Sequence, residues 1–271
     1  MNRTRQYFQN ALIGATAVVF AGAHLMPSTQ RQGPVLAAAV NFVAPTDSTV
    51  HSTSTSALGT VAAATSTALG ALANAVRPLS HPRALENAFR GYFAFKTAHP
   101  DQVKKPYLYF VDYGLPSTTP RGYVFDMDAM KIVDGPFTVA HGRGSAASQF
   151  GVPTRFSNAP GSQATSLGLY VAREIYGFTG HTAGGAYNSV GLKLIGMSTG
   201  YNDKAGARGV VAHGAPYVTA TKAGRSEGCP AMEPARAQRL LPKLANGGVV
   251  FLFAPNTSWM NGDPWLAGAA G

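Results

Sequence analysis

The chain has 271 residues, a formal net charge of +10 and 45% hydrophobic residues, enough for one large domain with its own core or two small ones. Its 31 glycines and 18 prolines argue against a bundle of long helices. A single cysteine excludes an internal disulfide framework and any multi-cysteine zinc or iron–sulfur site.

Residues 1–30 read as an export signal or N-terminal anchor. Arg3 and Arg5 form a basic start, residues 11–26 are apolar or small, and Ala21-Gly22-Ala23 resembles a small-residue cleavage site. This predicts a periplasmic protein, exported by that segment or tethered to the membrane through it. Residues 31–81 are dominated by Ala, Ser and Thr, lack the large apolar anchors that offset chain ordering, and are expected to form a flexible spacer, with helical composition in pieces such as 61–75. An ordered domain is expected over 82–258 and a tail over 259–271.

Within that domain Leu85, Ala88, Phe89, Tyr92 and Phe93 recur at helical spacing and predict a helix over 83–97. Strand-like runs follow at 107–112, 122–126, 137–140, 168–171, 190–195, 209–213 and 249–254, separated by Gly- and Pro-containing turns. A second helix is predicted over 234–245, with Asn246-Gly247 as its stop and Pro242 expected to kink or shorten it. Strands succeed one another without regular helices between them. The expected fold is mainly β with peripheral helices, antiparallel or mixed, rather than a doubly wound sheet.

Cys229 lies in Gly224-Arg225-Ser226-Glu227-Gly228-Cys229-Pro230. A lone cysteine is more often inert, but an inert one sits in an apolar run, whereas this one is flanked by polar and turn-forming residues. The N–H groups of Gly228 and Cys229 are candidates for an oxyanion hole. A free thiol is only slightly ionised at neutral pH and needs a partner to activate it. His213 and His141 each end a strand and precede Gly, so each is delivered to a loop rim; His213, sixteen residues before Cys229, is the first candidate for the base and His141 the second. A zinc site from His141, His213 and Cys229 lacks a recognised ligand spacing, and no metal or cofactor is expected.

Five ordered segments carry a family resemblance: 139–145 (VAHGRGS), 156–170 (FSNAPGSQATSLGLY), 201–206 (YNDKAG), 210–218 (VVAHGAPYV) and 224–231 (GRSEGCPA). A strand ending in His-Gly, about fifteen residues, then Ser-x-Gly-Cys resembles the catalytic motif of L,D-transpeptidases, in the branch called YkuD-like 2. The resemblance implies a β-sandwich-like catalytic domain in which Cys229 attacks a peptidoglycan stem peptide and forms a thioester. It implies His213 as base, the Gly214 carbonyl as its orienting partner, and a second stem peptide as acceptor. In this branch the product is associated with a cross-link between L-Ala at position 1 and the diamino acid at position 3, rather than between two position-3 residues. Hydrolysis of stems by the same pair, and a non-catalytic wall-binding module, are the alternative readings.

Two departures from the commonest pattern stand out. Glu227 occupies the place of a His before Gly-Cys, and Pro230-Ala231 stand where an Arg follows the Cys. That Arg would clamp a substrate carboxylate; Arg225, Arg143 and Arg155 are the replacements on offer. His141, Arg143, Ser157, Asn158, Ser162, Tyr217, Arg225 and Ser226 are candidate substrate contacts. Each also has a plain reading as a turn former, packing residue or solvated charge. Residues 83–258 hold 18 basic and 10 acidic residues, a surplus suited to an anionic polymer. No basic run interleaved with aromatics points to nucleic acid.

Overall fold

The computed structural model describes residues 48–266; the export signal expected over 1–30 and the start of the spacer lie outside the described residues. Two helices come first, α1 (Ser48–Leu72) and α2 (Ala84–Ala98), then strands β1 (Tyr107–Asp112), β2 (Gly122–Asp126), β3 (Lys131–Phe137) and β4 (His141–Gly142). The long pair β5 (Gly168–Thr182) and β6 (Gly185–Gly196) leads to β7 (Val211–Gly214), β8 (Arg225–Ser226) and β9 (Ala231–Met232). Helix α3 (Pro234–Leu244), β10 (Val249–Phe253) and α4 (Thr257–Gly262) close the chain.

Eight strands form one mixed sheet in the order β3-β2-β1-β10-β5-β6-β7-β9, and β4 and β8 form a two-stranded ribbon. The fold is therefore mainly β with peripheral helices, the class the strand succession predicts. β1 and β10 pair in parallel at the centre. Their near-continuous apolar sequences, YLYFVD and VVFLF, are almost wholly buried, as strands covered on both faces require. Leu85, Phe89, Tyr92 and Phe95 of α2 and Leu240, Leu241 and Leu244 of α3 belong to the same core.

Three stretches differ from expectation. The spacer expected to be flexible over 31–81 is helical from Ser48 to Leu72, and Val61, Thr65, Ala68 and Leu72 are buried. Their spacing is one helical stripe made largely of small residues, which pack closely while giving little hydrophobic signal. The tail expected from 259 is part of the core. Trp259 lies between Phe251 and Phe253, its indole N–H donates to Asp263 at 2.8 Å, and Leu266 is buried. The strands expected over 168–171 and 190–195 extend into a long hairpin whose β5–β6 ladder runs to the pair Thr182–Gly185, with Tyr176, Phe178 and Tyr187 packing along it.

Pro242 leaves α3 intact because it falls in the last turn; the carbonyl it deprives is that of the exposed Gln238, which water can reach. The helix ends as expected at Asn246, whose φ of 59° is the left-handed stop conformation.

Replacing Trp259 by Ala is expected to lower unfolding stability by about 3–5 kcal/mol, the usual cost of truncating a large buried aromatic. Leu58, 53% exposed on α1, is expected to change it by no more than about 0.5 kcal/mol when replaced by Ala. Urea denaturation of the two variants checks both values.

Candidate active site

The two His-Gly strand ends lie on either side of the cysteine loop. On one side β4 pairs with β8 through His141–Arg225, and the Arg143 N–H donates to the Ser226 carbonyl at 2.8 Å. On the other, β7 pairs with β9 through His213–Ala231, and the His213 N–H donates to the Pro230 carbonyl at 3.4 Å. Glu227, Gly228 and Cys229 form the arc between these anchors. Ser226 Oγ staples the arc, donating to the Cys229 carbonyl at 2.6 Å and accepting the Gly228 N–H at 3.2 Å. Gly228 has a φ of 122°, and a Cβ there would meet the Ala164 carbonyl oxygen at 2.9 Å, so only glycine fits.

Cys229 is half-buried on the wall of a cavity of about 880 Å³ that His213 also lines. Its sulfur accepts the Val211 N–H at 3.5 Å. Burial pushes the thiol pKa up, partly offset by that N–H and by the charge of Arg208, while Glu227 adds to the rise. His213 is 3% exposed. Its Nδ1 lies 3.0 Å from the Gly214 carbonyl. A carbonyl only accepts, so the proton resides on Nδ1 and Nε2 keeps a free lone pair. The Phe178 ring from the hairpin stacks on the imidazole with centroids 4.3 Å apart. Burial lowers the His213 pKa to about 4, against the opposing pull of the Gly214 carbonyl. Thiol and imidazole are thus both neutral near pH 7 and line one cavity, the protonation states that proton transfer from an attacking sulfur to nitrogen requires.

Of the other sequence candidates, Arg143, Tyr217 and Arg225 line this cavity with Glu227. Arg143 pairs with Glu227 at 3.0 Å across its rim, whereas the Arg225 guanidinium has no protein partner among the described residues. Tyr217 packs edge-on against Tyr187.

Several candidates take other places. His141 is fully buried, and its Nδ1 accepts from Arg121 Nη2 at 3.0 Å. Arg121 itself is buried, donates to the Val139 carbonyl and stacks on Tyr113. Burial, with the nearby Arg121 and Arg225 charges, takes the His141 pKa down to about 3. His141 therefore cannot touch a substrate from the cavity. Ser226 lines the cavity with its hydroxyl committed to the staple. The Gly228 N–H assigned to the oxyanion is committed to that same hydroxyl, while the Cys229 N–H makes no hydrogen bond among the described residues. Ser157 and Asn158 line a neighbouring hollow with Tyr201 and Trp259 instead. Ser162 Oγ accepts from Arg208.

Arg208 and Phe178 are the residues sequence reading missed. Arg208 stands in a Gly- and Ala-rich stretch with no pattern around it. Phe178 belongs to an alternating aromatic run, Tyr176-Gly177-Phe178, which was a usable strand signal.

The family model described as the L,D-transpeptidase catalytic domain, YkuD_2, matches residues 78–253. That is well over half of the chain, and the chain belongs to this family. Among solved structures it is similar to an L,D-transpeptidase from Mycobacterium smegmatis, with 13% identity over 55% of this chain and 59% of that one and a TM-score of 0.34. It is also similar to an L,D-transpeptidase from Stackebrandtia nassauensis, at 16% identity, 63% and 66% coverage and a TM-score of 0.33. L,D-transpeptidase 3 from Mycobacterium tuberculosis shows 11% identity, 55% and 61% coverage and a TM-score of 0.32. The chain spans about three fifths of the length of the first of these. No curated protein matches it.

Two outcomes test this geometry. Both histidines hold pKa values below the ordinary 6.5 in the folded state, so below pH 6.5 the unfolded chain binds protons that the fold refuses. The thermal midpoint is expected to decrease from pH 6.5 toward about 4, where His213 protonates in the fold as well; a flat midpoint across that window contradicts the assignment. Gly228→Ala is expected to cost about 1–3 kcal/mol of stability from backbone strain alone, read by urea denaturation.

Proposed function

We propose that the domain is a cysteine L,D-transpeptidase that cross-links peptidoglycan stem peptides through a thioester on Cys229. The observation that carries the reading is one cavity holding the thiol and an imidazole whose Nδ1–H is tied to Gly214, leaving Nε2 as the only basic nitrogen. Cys229 sulfur attacks the carbonyl carbon of the donor stem while its proton passes to His213 Nε2. The oxygen of the tetrahedral intermediate takes its charge beside the free Cys229 N–H. Collapse expels the leaving amine, which receives the proton from His213, and the thioester remains. The amine of a second stem then attacks the thioester, loses its proton to the imidazole and releases the thiol.

Stem peptides carry carboxylates, and Arg225, exposed and without a partner among the described residues, is a cation on the cavity wall suited to one. Pro230-Ala231 in place of an arginine after the cysteine supports a donor other than the commonest one, and hence a cross-link from L-Ala at position 1 to the diamino acid at position 3. The N-terminal segment 1–30 supports export to the periplasm, where such stems are found. No described helix is long and apolar enough to cross a membrane.

Incubation of the purified protein with defined muropeptides, followed by mass spectrometry, is expected to give cross-linked dimers; trimmed monomers alone would replace this reading with a hydrolase. Cys229→Ala is expected to abolish both products, and His213→Ala to reduce kcat/KM by about 10²–10⁴. Since the base is lost on protonation, the acid limb of kcat/KM is expected near pH 4 rather than near the 6.5 of an open imidazole. Tandem mass spectrometry of the dimers identifies the linked positions.

A further inference from the structure

Arg208 lies between β6 and β7 and faces the Cys229 cavity, half-buried. Its Nη1 donates to the Ser157 carbonyl at 2.8 Å and to Ser166 Oγ at 3.2 Å. Its Nη2 donates to the Ala164 carbonyl at 2.7 Å and to Ser162 Oγ at 3.2 Å. All four acceptors are neutral and belong to one segment, 157–166. Arg208 takes part in no ion pair among the described residues. A Cβ on Gly228 would sit 3.4 Å from Nη2, so the guanidinium lies against the residue that precedes the nucleophile.

This arrangement is unsuited to a forked grip on a substrate carboxylate, because both terminal nitrogens are already committed to the protein. It leaves the charge intact and immobile. A guanidinium in an open cleft normally keeps its hydration or meets a carboxylate. Here four dipoles hold it in place with no counter-charge, at the wall where negative charge must develop on sulfur. Fixed cations that need no reorganisation are the efficient stabilisers of such charge.

We propose that Arg208 is a positioning residue for Cys229: its fixed charge stabilises the sulfur anion, and its four bonds hold the 157–166 segment against the nucleophile loop. The other charged and titratable groups lining the cavity are His213 from β7, Glu227 and Arg225 from the cysteine arc and β8, and Arg143 and His181. Tyr113, Tyr170 and Tyr176 also lie near enough to couple to the sulfur, and burial raises their pKa values. Tyr187 and Tyr217, also on the wall, have their pKa values raised by burial and stay neutral. Glu227 opposes Arg208, muted by its exposed pairing with Arg143 at 3.0 Å. The inference rests on Cys229 being the nucleophile, but its test reads the thiol itself and needs no substrate.

The measurement is the pH dependence of Cys229 alkylation by iodoacetamide, followed by intact-protein mass spectrometry. Arg208→Gln and Arg208→Met remove the charge, and water from the cavity can satisfy the four acceptors they leave. Both are expected to move the alkylation midpoint up by about one pH unit, about ten-fold less thiolate at pH 7. Arg208→Lys keeps a charge but not the four bonds, and is expected to return the midpoint to within about 0.3 units of the wild type while losing thermal stability. Glu227→Gln, at an exposed position where folding is not at stake, is expected to move the midpoint down. Folded neutral variants with the wild-type midpoint overturn the proposal and reduce Arg208 to a strut. Absence of muropeptide cross-linking by the wild type would remove the proposed reaction and leave the alkylation result standing.

Discussion

The constraint on which the site depends is the anchoring of one short arc of backbone at both ends. β8 is held by β4, β9 is held by β7, and Cys229 stands between them. Neither two-residue strand is stable alone. Each borrows its order from a His-Gly strand end, and one of these, β7, is the last strand but one of the eight-stranded sheet, with β9 as the edge. The Ser226 hydroxyl then removes the remaining freedom of the turn. Sulfur position is therefore a property of the sheet rather than of a loop.

The same anchoring explains how two histidines in the same local sequence acquire different work. His213 keeps one nitrogen on the Gly214 carbonyl and lines the open cavity. His141 turns inward and accepts a hydrogen bond from a buried guanidinium, which requires it to be neutral. Arg121 in turn is spread over the Val139 carbonyl and the Tyr113 face, so a full positive charge is accommodated in the interior by dipoles and a π-face. The inner histidine braces the β4 side of the arc, while the outer one lines the cavity with Nε2 uncommitted.

The strands with apolar runs and turn punctuation were legible in the sequence: β1 and β2 begin and end where the residue types change. The cysteine motif was legible because polar and turn residues around a thiol have no packing rationale. What stayed hidden has a physical cause in each case. α1 buries a stripe built on Val61, Thr65, Ala68 and Leu72, whose small side chains read as spacer composition. The outer half of the β5–β6 hairpin is held by its own ladder and its aromatics, and lacks a buried apolar face to announce it. Ser226 and Gly228 show the limit of motif reading: the motif names the residues, but only coordinates reveal that one hydroxyl occupies the N–H expected to meet the oxyanion. Arg208 gathers acceptors from residues 42 to 51 positions away in sequence, and no local pattern records such a set.

The uncharged state of the sulfur has a bearing on its durability. Peroxides and disulfides react with the ionised form of cysteine, and the protonated form is a slow target. Burial keeps Cys229 protonated at ambient pH, against the opposing pull of the Val211 N–H. The chain holds no second cysteine that could cap it from within. In oxidising surroundings, the shielding that slows the resting thiol thus also preserves it.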